Sequence, residues 1–152
     1  MSTDQALADI TQERHHARLE TVNLQHAKIL SRYTQAQRDA ALHLYNTARL
    51  HTDTGGGSTC ARLLLGLYNG DRFLFDLTDL RRLDGPNIGA ALIVLHMDAT
   101  HTWCEIHQLL NAILNVPYGK STGDTMELWA HTLRLKGRCS KEHLPRLKAG
   151  AA

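Results

Sequence analysis

The stretch HMDATHTWCEIH, residues 96–107, gathers three histidines, a cysteine, an aspartate and a glutamate. Zinc chemistry would need about four such ligands converging in a tetrahedron. Cys104 and His107 stand one helical turn apart and supply two, with His96 or His101 as a third from the segment before them. The pattern stops there. No C-x2-C partner exists, and Cys60 and Cys139 have no His or Cys at knuckle spacing. A helix start accounts for the same residues. Thr102 followed by Glu105 spells a capping box, in which hydroxyl and carboxylate each accept from a free amide. It predicts a helix over 103–115, with Trp103, Ile106, Leu109, Leu110, Ile113 and Leu114 on its buried face. His15 and His16 are adjacent, so on a helix they diverge by about 100° and make a poor site. The expectation is no metal and no cofactor.

Nucleophilic and phosphate chemistry fare no better. G-x-S-x-G and H-E-x-x-H are missing, and with them the nucleophile elbow and the zincin helix. The run DTGGGSTC at 53–60 is a Gly-rich approach to a helix. A Walker loop, however, needs Lys-Ser/Thr after its second glycine, and Cys60-Ala61 stand instead. GKST at 119–122 lacks the paired glycine upstream. No catalytic residue is assigned, and the chain is expected not to be an enzyme.

The elements that would carry these residues are helical. Three prolines, 5% aromatics and a core of Leu, Ala, Ile and Val favour helix over sheet. Residues 4–31 form a polar helix with a thin stripe of Leu19, Val22, His26, Ile29 and Tyr33. Thr34 and Gln37 form a capping box for a second helix over 35–51, so that the two make an N-terminal hairpin. The three glycines at 55–57 predict a flexible break, with Ser58 or Thr59 capping a helix to Tyr68 and Asn69-Gly70 ending it in a left-handed turn. Asp76 caps a short helix, 77–83. Pro86 suits the first turn of the next helix, whose Ile88, Ala91, Leu92 and Leu95 place it at the centre of the core. Asp124 caps a helix carrying Met126, Trp129, Ala130 and Leu133, which Gly137 ends; Ser140 opens a final short helix, 141–148. The expected fold is all-α, a compact bundle of six or seven helices in a single domain of 1–152. Within it lie an N-terminal hairpin or arm at 1–52, a helical core at 53–137 and a basic segment at 138–152.

Composition sets the partners. The chain has 152 residues, 43% apolar, with a net charge of +2, which suits one soluble domain. No basic start with an apolar run opens it, and its longest apolar stretch, AALIVL at 90–95, falls far short of a membrane span. Three scattered cysteines suit a reducing compartment, and a cytoplasmic location is expected. Charge is uneven: residues 51–116 carry four Lys/Arg against seven Asp/Glu, and residues 117–152 carry seven against three. The acidic candidates for partner binding are Asp71, Asp76, Asp79 and Asp84, which helix capping explains equally well. The basic candidates for nucleic acid are Arg134, Lys136, Arg138, Lys141, Arg146 and Lys148, which also suit a solvated tail. The stripe on 4–33 would let two copies pair through Leu19, Val22 and Ile29.

One segment resembles a known family. Gly56, Gly57 and Ser58, a short apolar helix, then Phe75-Asp76-Leu77-Thr78-Asp79-Leu80 and another apolar helix follow one another over 53–98. This order is similar to that of a domain family carried by proteobacterial plasmids and integrative conjugative elements. The resemblance covers about a third of the chain and implies a setting, a mobile element, without an activity. It points to a non-enzymatic accessory protein that binds and inhibits a host defence complex, as an anti-CRISPR protein does. The alternative is a nucleic-acid-binding regulator or a small helical subunit of a ribonucleoprotein.

Overall fold

In the computed structural model, residues 3–135 are described. They form six α-helices and one 3-10 helix with no strand among them: α1 (Thr3–Leu30), α2 (Gln35–Leu50), α3 (Gly55–Tyr68), the 3-10 helix (Leu77–Arg82), α4 (Gly85–Thr100), α5 (Ile106–Ile113) and α6 (Thr122–Thr132). The protein is an all-α helical bundle. The final helix expected at 141–148 and the stop at Gly137 lie outside the described residues.

The core is built around α2 and α3, with α4, α5 and α6 packed against them. Leu44, Leu63, Leu64, Leu65, Leu110 and Met126 are fully enclosed. The capping box predicted for α2 is present: Thr34 Oγ1 accepts from the Gln37 amide at 3.2 Å, and Gln37 Oε1 accepts from the Thr34 amide at 2.9 Å. The turn that links α1 to α2 inserts Tyr33 into the core. Beyond the turn, α1 leans on α5. The stripe offered for self-pairing, Leu19, Val22 and Ile29, is the half-buried face of α1, so it meets α5.

Several boundaries differ from expectation, each for a physical reason. The three glycines are not a break. They are the first turn of α3, and the cap is Thr54, whose Oγ1 accepts from the Gly57 amide at 3.0 Å. Asn69 does not take the left-handed region: it is extended (φ −157°) and its side-chain oxygen accepts from the Arg72 amide at 3.1 Å, which turns the chain out of α3. Capping of α4 falls to Asp84, which accepts from the Asn87 amide at 3.0 Å. That helix is not the centre of the bundle. Its apolar run wraps all the way round, so Leu92 and Ile93 stay 56% and 41% exposed. α5 begins only at Ile106, because Glu105, paired with Gln108 Oε1 at 2.9 Å, opens it in place of Thr102. Thr102 Oγ1 instead donates back to the Asp98 carbonyl at 2.6 Å, which leaves Trp103 and Leu114 outside the buried face. Ser121, not Asp124, caps α6, accepting from the Gly123 amide at 3.1 Å.

Candidate functional site

The residues of the 96–107 stretch disperse. His96 and His101 are exposed, while Cys104 lies half-buried with its Sγ 3.5 Å from the Tyr33 hydroxyl. Burial raises the Cys104 thiol and pushes Tyr33 up to about 12. Asp98 is raised as well, by burial first and then by the Glu105 charge. Among the described residues, no three His, Cys, Asp or Glu side chains converge to hold a metal.

His107 goes elsewhere, to a cluster that sequence reasoning missed. Its ring stands edge-on to Tyr68, centroids 5.1 Å apart and planes at 85°. The Tyr68 hydroxyl donates to Glu127 Oε1 at 3.1 Å. Glu127 is fully buried, and Arg72 grips it with two bonds, Nη1 to Oε1 at 2.6 Å and Nη2 to Oε2 at 2.8 Å. Such a fork is the strong form of carboxylate recognition. Burial, then the Glu127 charge, raises the Tyr68 phenol. A signal did exist. Glu127 follows Met126 directly, and on α6 it falls among Gly123, Met126 and Ala130, all buried. An acid on a buried stripe demands a cation, and Arg72 sits in the turn after α3.

What the cluster does is hold the 69–79 turn onto α6. Phe73 is buried there, and Phe75 packs against the core. Between and beyond them Leu74 and Leu77 project, 78% and 69% exposed. Asp76 is occupied as a cap, its Oδ1 accepting from the Thr78 amide and hydroxyl, both at 2.8 Å; these bonds lower its pKa. Of the four acidic candidates, Asp71 and Asp79 flank the exposed leucines with Asp76. Asp84 lies past the 3-10 helix, which six residues make about 12 Å long. Asp84 serves α4 as its N-cap. Of the basic candidates, Arg134 is described, in a left-handed turn after α6 (φ 56°); Lys136, Arg138, Lys141, Arg146 and Lys148 lie outside the described residues.

His107 gives the site a pH dependence. Burial lowers its pKa below the ordinary 6.5, against a smaller upward pull from Glu105. The unfolded chain therefore takes up a proton near pH 6.5 that the fold resists. Stability should fall as pH drops below about 6.5, and level off beneath the folded value. Urea melts between pH 8 and 5 should show that slope, and His107→Gln should flatten it. An unchanged slope in the variant would assign it to other groups.

Fold and site together define an all-α bundle that presents an exposed apolar turn anchored by a buried ion pair. The chain belongs to the family of unknown function DUF7673, whose model matches residues 38–118, just over half its length, from α2 to beyond α5. That span includes the 53–98 segment and Arg72 but stops short of Glu127. No curated protein and no solved structure matches the chain. Among the described residues, no helix is long and apolar enough to cross a membrane.

Proposed function

We propose that this chain is a non-enzymatic accessory protein of a mobile genetic element or phage, which binds and inhibits a host defence protein complex in the cytoplasm, in the manner of an anti-CRISPR protein. The observation that supports this reading best is the 71–79 turn. Single exposed leucines are ordinary on a protein surface, but neighbouring ones that stand out together on one fixed turn form a small apolar patch. Here Leu74 and Leu77 do so on a turn fastened by Phe73, by the Asp76 cap and by the Arg72–Glu127 pair. Rigid apolar anchors ordered before binding lose little entropy on docking. Asp71, Asp76 and Asp79 border them, which favours a partner with an apolar pocket rimmed by Lys and Arg. The resemblance to proteins of plasmids and conjugative elements supplies the setting.

The test is a tagged pull-down from a proteobacterial host with active defence systems, after nuclease treatment, at low salt and at about 0.5 M, where surface charge is strongly screened. One stoichiometric host complex should be retained, and a Leu74→Asp/Leu77→Asp variant with an unchanged circular dichroism spectrum should lose it. Retention of the same complex by that variant, or recovery of nucleic acid alone, would overturn the reading.

A further inference from the structure

The helix α1 looks featureless by apolar pattern, for none of its residues is buried. From Asp9 to Glu20 its charges are nonetheless sorted. At 100° per residue, Asp9, Glu13 and Glu20 fall within about 40° of one another. Arg14, Arg18 and Gln25 fall in a second sector about 140° away, and there Arg14 and Arg18 are exposed.

This second sector flanks the half-buried Leu19–Val22–Ile29 face that meets α5, and contacts between the two helices follow that edge in order. The Arg18 guanidinium lies over the Tyr118 ring at 5.4 Å, His26 Nδ1 meets Asn115 Oδ1 at 3.1 Å, and Arg32, just past α1, lies over the Trp103 ring at 4.4 Å. Tyr118 follows α5 and Trp103 precedes it, so the two helices run antiparallel. Both rings remain 56% exposed. From Arg18 to Arg32 the chain advances roughly 20 Å at 1.5 Å per residue. Beside Tyr118 there is a cleft of about 310 Å³. The described residues that line it are Ala17, Arg18, Thr21, Val22, Gln25 and Tyr118: cation, hydroxyl and amide, with no carboxylate. Two acids stand at the Trp103 end: Glu105, two residues on, and Asp98, whose charge is felt at the adjoining Cys104.

We infer that this α1–α5 edge binds single-stranded nucleic acid, with Tyr118 and Trp103 stacking bases and Arg14, Arg18 and Arg32 meeting phosphates. An exposed ring already backed by a guanidinium offers its other side to a base, and every base has a face to stack. Stacking needs unpaired bases, which a duplex withholds. The spacing of the two rings suits a strand of several nucleotides, whose phosphates pass between them along the arginines. This surface is separate in residues from the 71–79 turn and from the basic segment at 134–148, so it stands or falls independently of the protein-binding reading.

The full chain supplies its own probe. Of its two tryptophans, Trp129 is buried and Trp103 exposed, so quenching of fluorescence by an added strand reports on Trp103. Titration with short oligouridylate and oligothymidylate strands at low salt should quench it. Trp103→Ala and Tyr118→Ala, followed by anisotropy of a labelled strand, should each weaken binding roughly tenfold. Three phosphate contacts predict a slope of log affinity against log salt of about −2, shallower once Arg14 and Arg18 are alanine. Circular dichroism checks that these surface variants fold. No binding of either strand overturns the proposal. So does equal binding of a duplex without quenching, which would mean a bare phosphate patch. A loss caused by Lys136→Ala/Arg138→Ala/Lys141→Ala but not by the α1 and ring variants would move the site to the basic segment, and overturns it too.

Discussion

Arg72→Ala lowers the unfolding free energy by about 3 kcal/mol or more, while Glu127→Gln costs about half as much or less. The asymmetry comes from burial. The side chain of Glu127 is 1% exposed, whereas that of Arg72 is 27% exposed. Removing the arginine takes both guanidinium bonds from an enclosed carboxylate and leaves it the Tyr68 hydroxyl from the cluster. Removing the carboxylate charge leaves a guanidinium that can turn partly to water, and an amide that still fills the space. The double variant should recover part of the Arg72→Ala loss, because the neutral amide no longer needs a cation. Urea denaturation of the four proteins measures the cycle. A loss under 1 kcal/mol for Arg72→Ala would mean that water reaches Glu127 and the pair is not the clamp. Arg72→Ala should also loosen the exposed leucines, since the 69–79 turn is tied to α6 through this pair. Under the proposed partner-binding role, the pull-down should then weaken without any change at Leu74 or Leu77.

Features set by neighbours in the chain were legible, and those set by neighbours in space were not. The Thr34–Gln37 box needs only four consecutive residues, and it opens α2 as its spacing predicts. The Asp76 cap is equally local. Glycine propensity misled at 55–57, because a helix start tolerates glycine when a tertiary contact demands the missing Cβ. The apolar run 90–95 misled for a related reason. Hydrophobicity says that a segment can be buried, not which of its sides will be, and among the described residues Leu92 and Ile93 stay on the exposed side of α4. In the site, Glu127 stands out as an acid on the buried stripe of α6, but nothing nearby in the chain names its partner, Arg72. Fifty-five positions separate them, and only the packing of α3 on α6 brings them together. The sorted charges of α1 were present in the sequence throughout. They form no apolar stripe, and only the fold brings the rings of Tyr118 and Trp103, at either end of α5, against the arginines Arg18 and Arg32.

Among the described glycines, Gly57→Ala should be the most damaging added methyl. A Cβ at Gly57 would fall 1.8 Å from the His51 carbonyl oxygen and 2.3 Å from its carbon. Neither atom is free to retreat. His51 closes α2, its amide bonded to Thr47 O at 3.0 Å, and its own oxygen accepts both the Thr54 amide at 3.0 Å and the Thr54 hydroxyl at 2.8 Å. Thr54 in turn caps α3 through Gly57 itself. The methyl would push apart the two central helices at the tight corner that joins them. Overpacking against backbone of this kind costs about 3 kcal/mol, a fall in melting temperature of roughly 6–12 °C for a chain of this size. The neighbouring glycines are the controls. At Gly55 the nearest atom is the Arg82 side chain at 3.6 Å, and at Gly56 it is the Arg82 carbonyl at 4.0 Å, both ordinary contacts. Alanine there should be neutral or stabilise by up to about 0.5 kcal/mol, since it restricts the unfolded chain and favours helix. Thermal melts of the three variants separate the two explanations for the Gly-Gly-Gly run. If all three alanines behaved alike, the run would be a tolerant helix start. A large loss at Gly57 alone would show that α2 and α3 meet too closely there for any side chain.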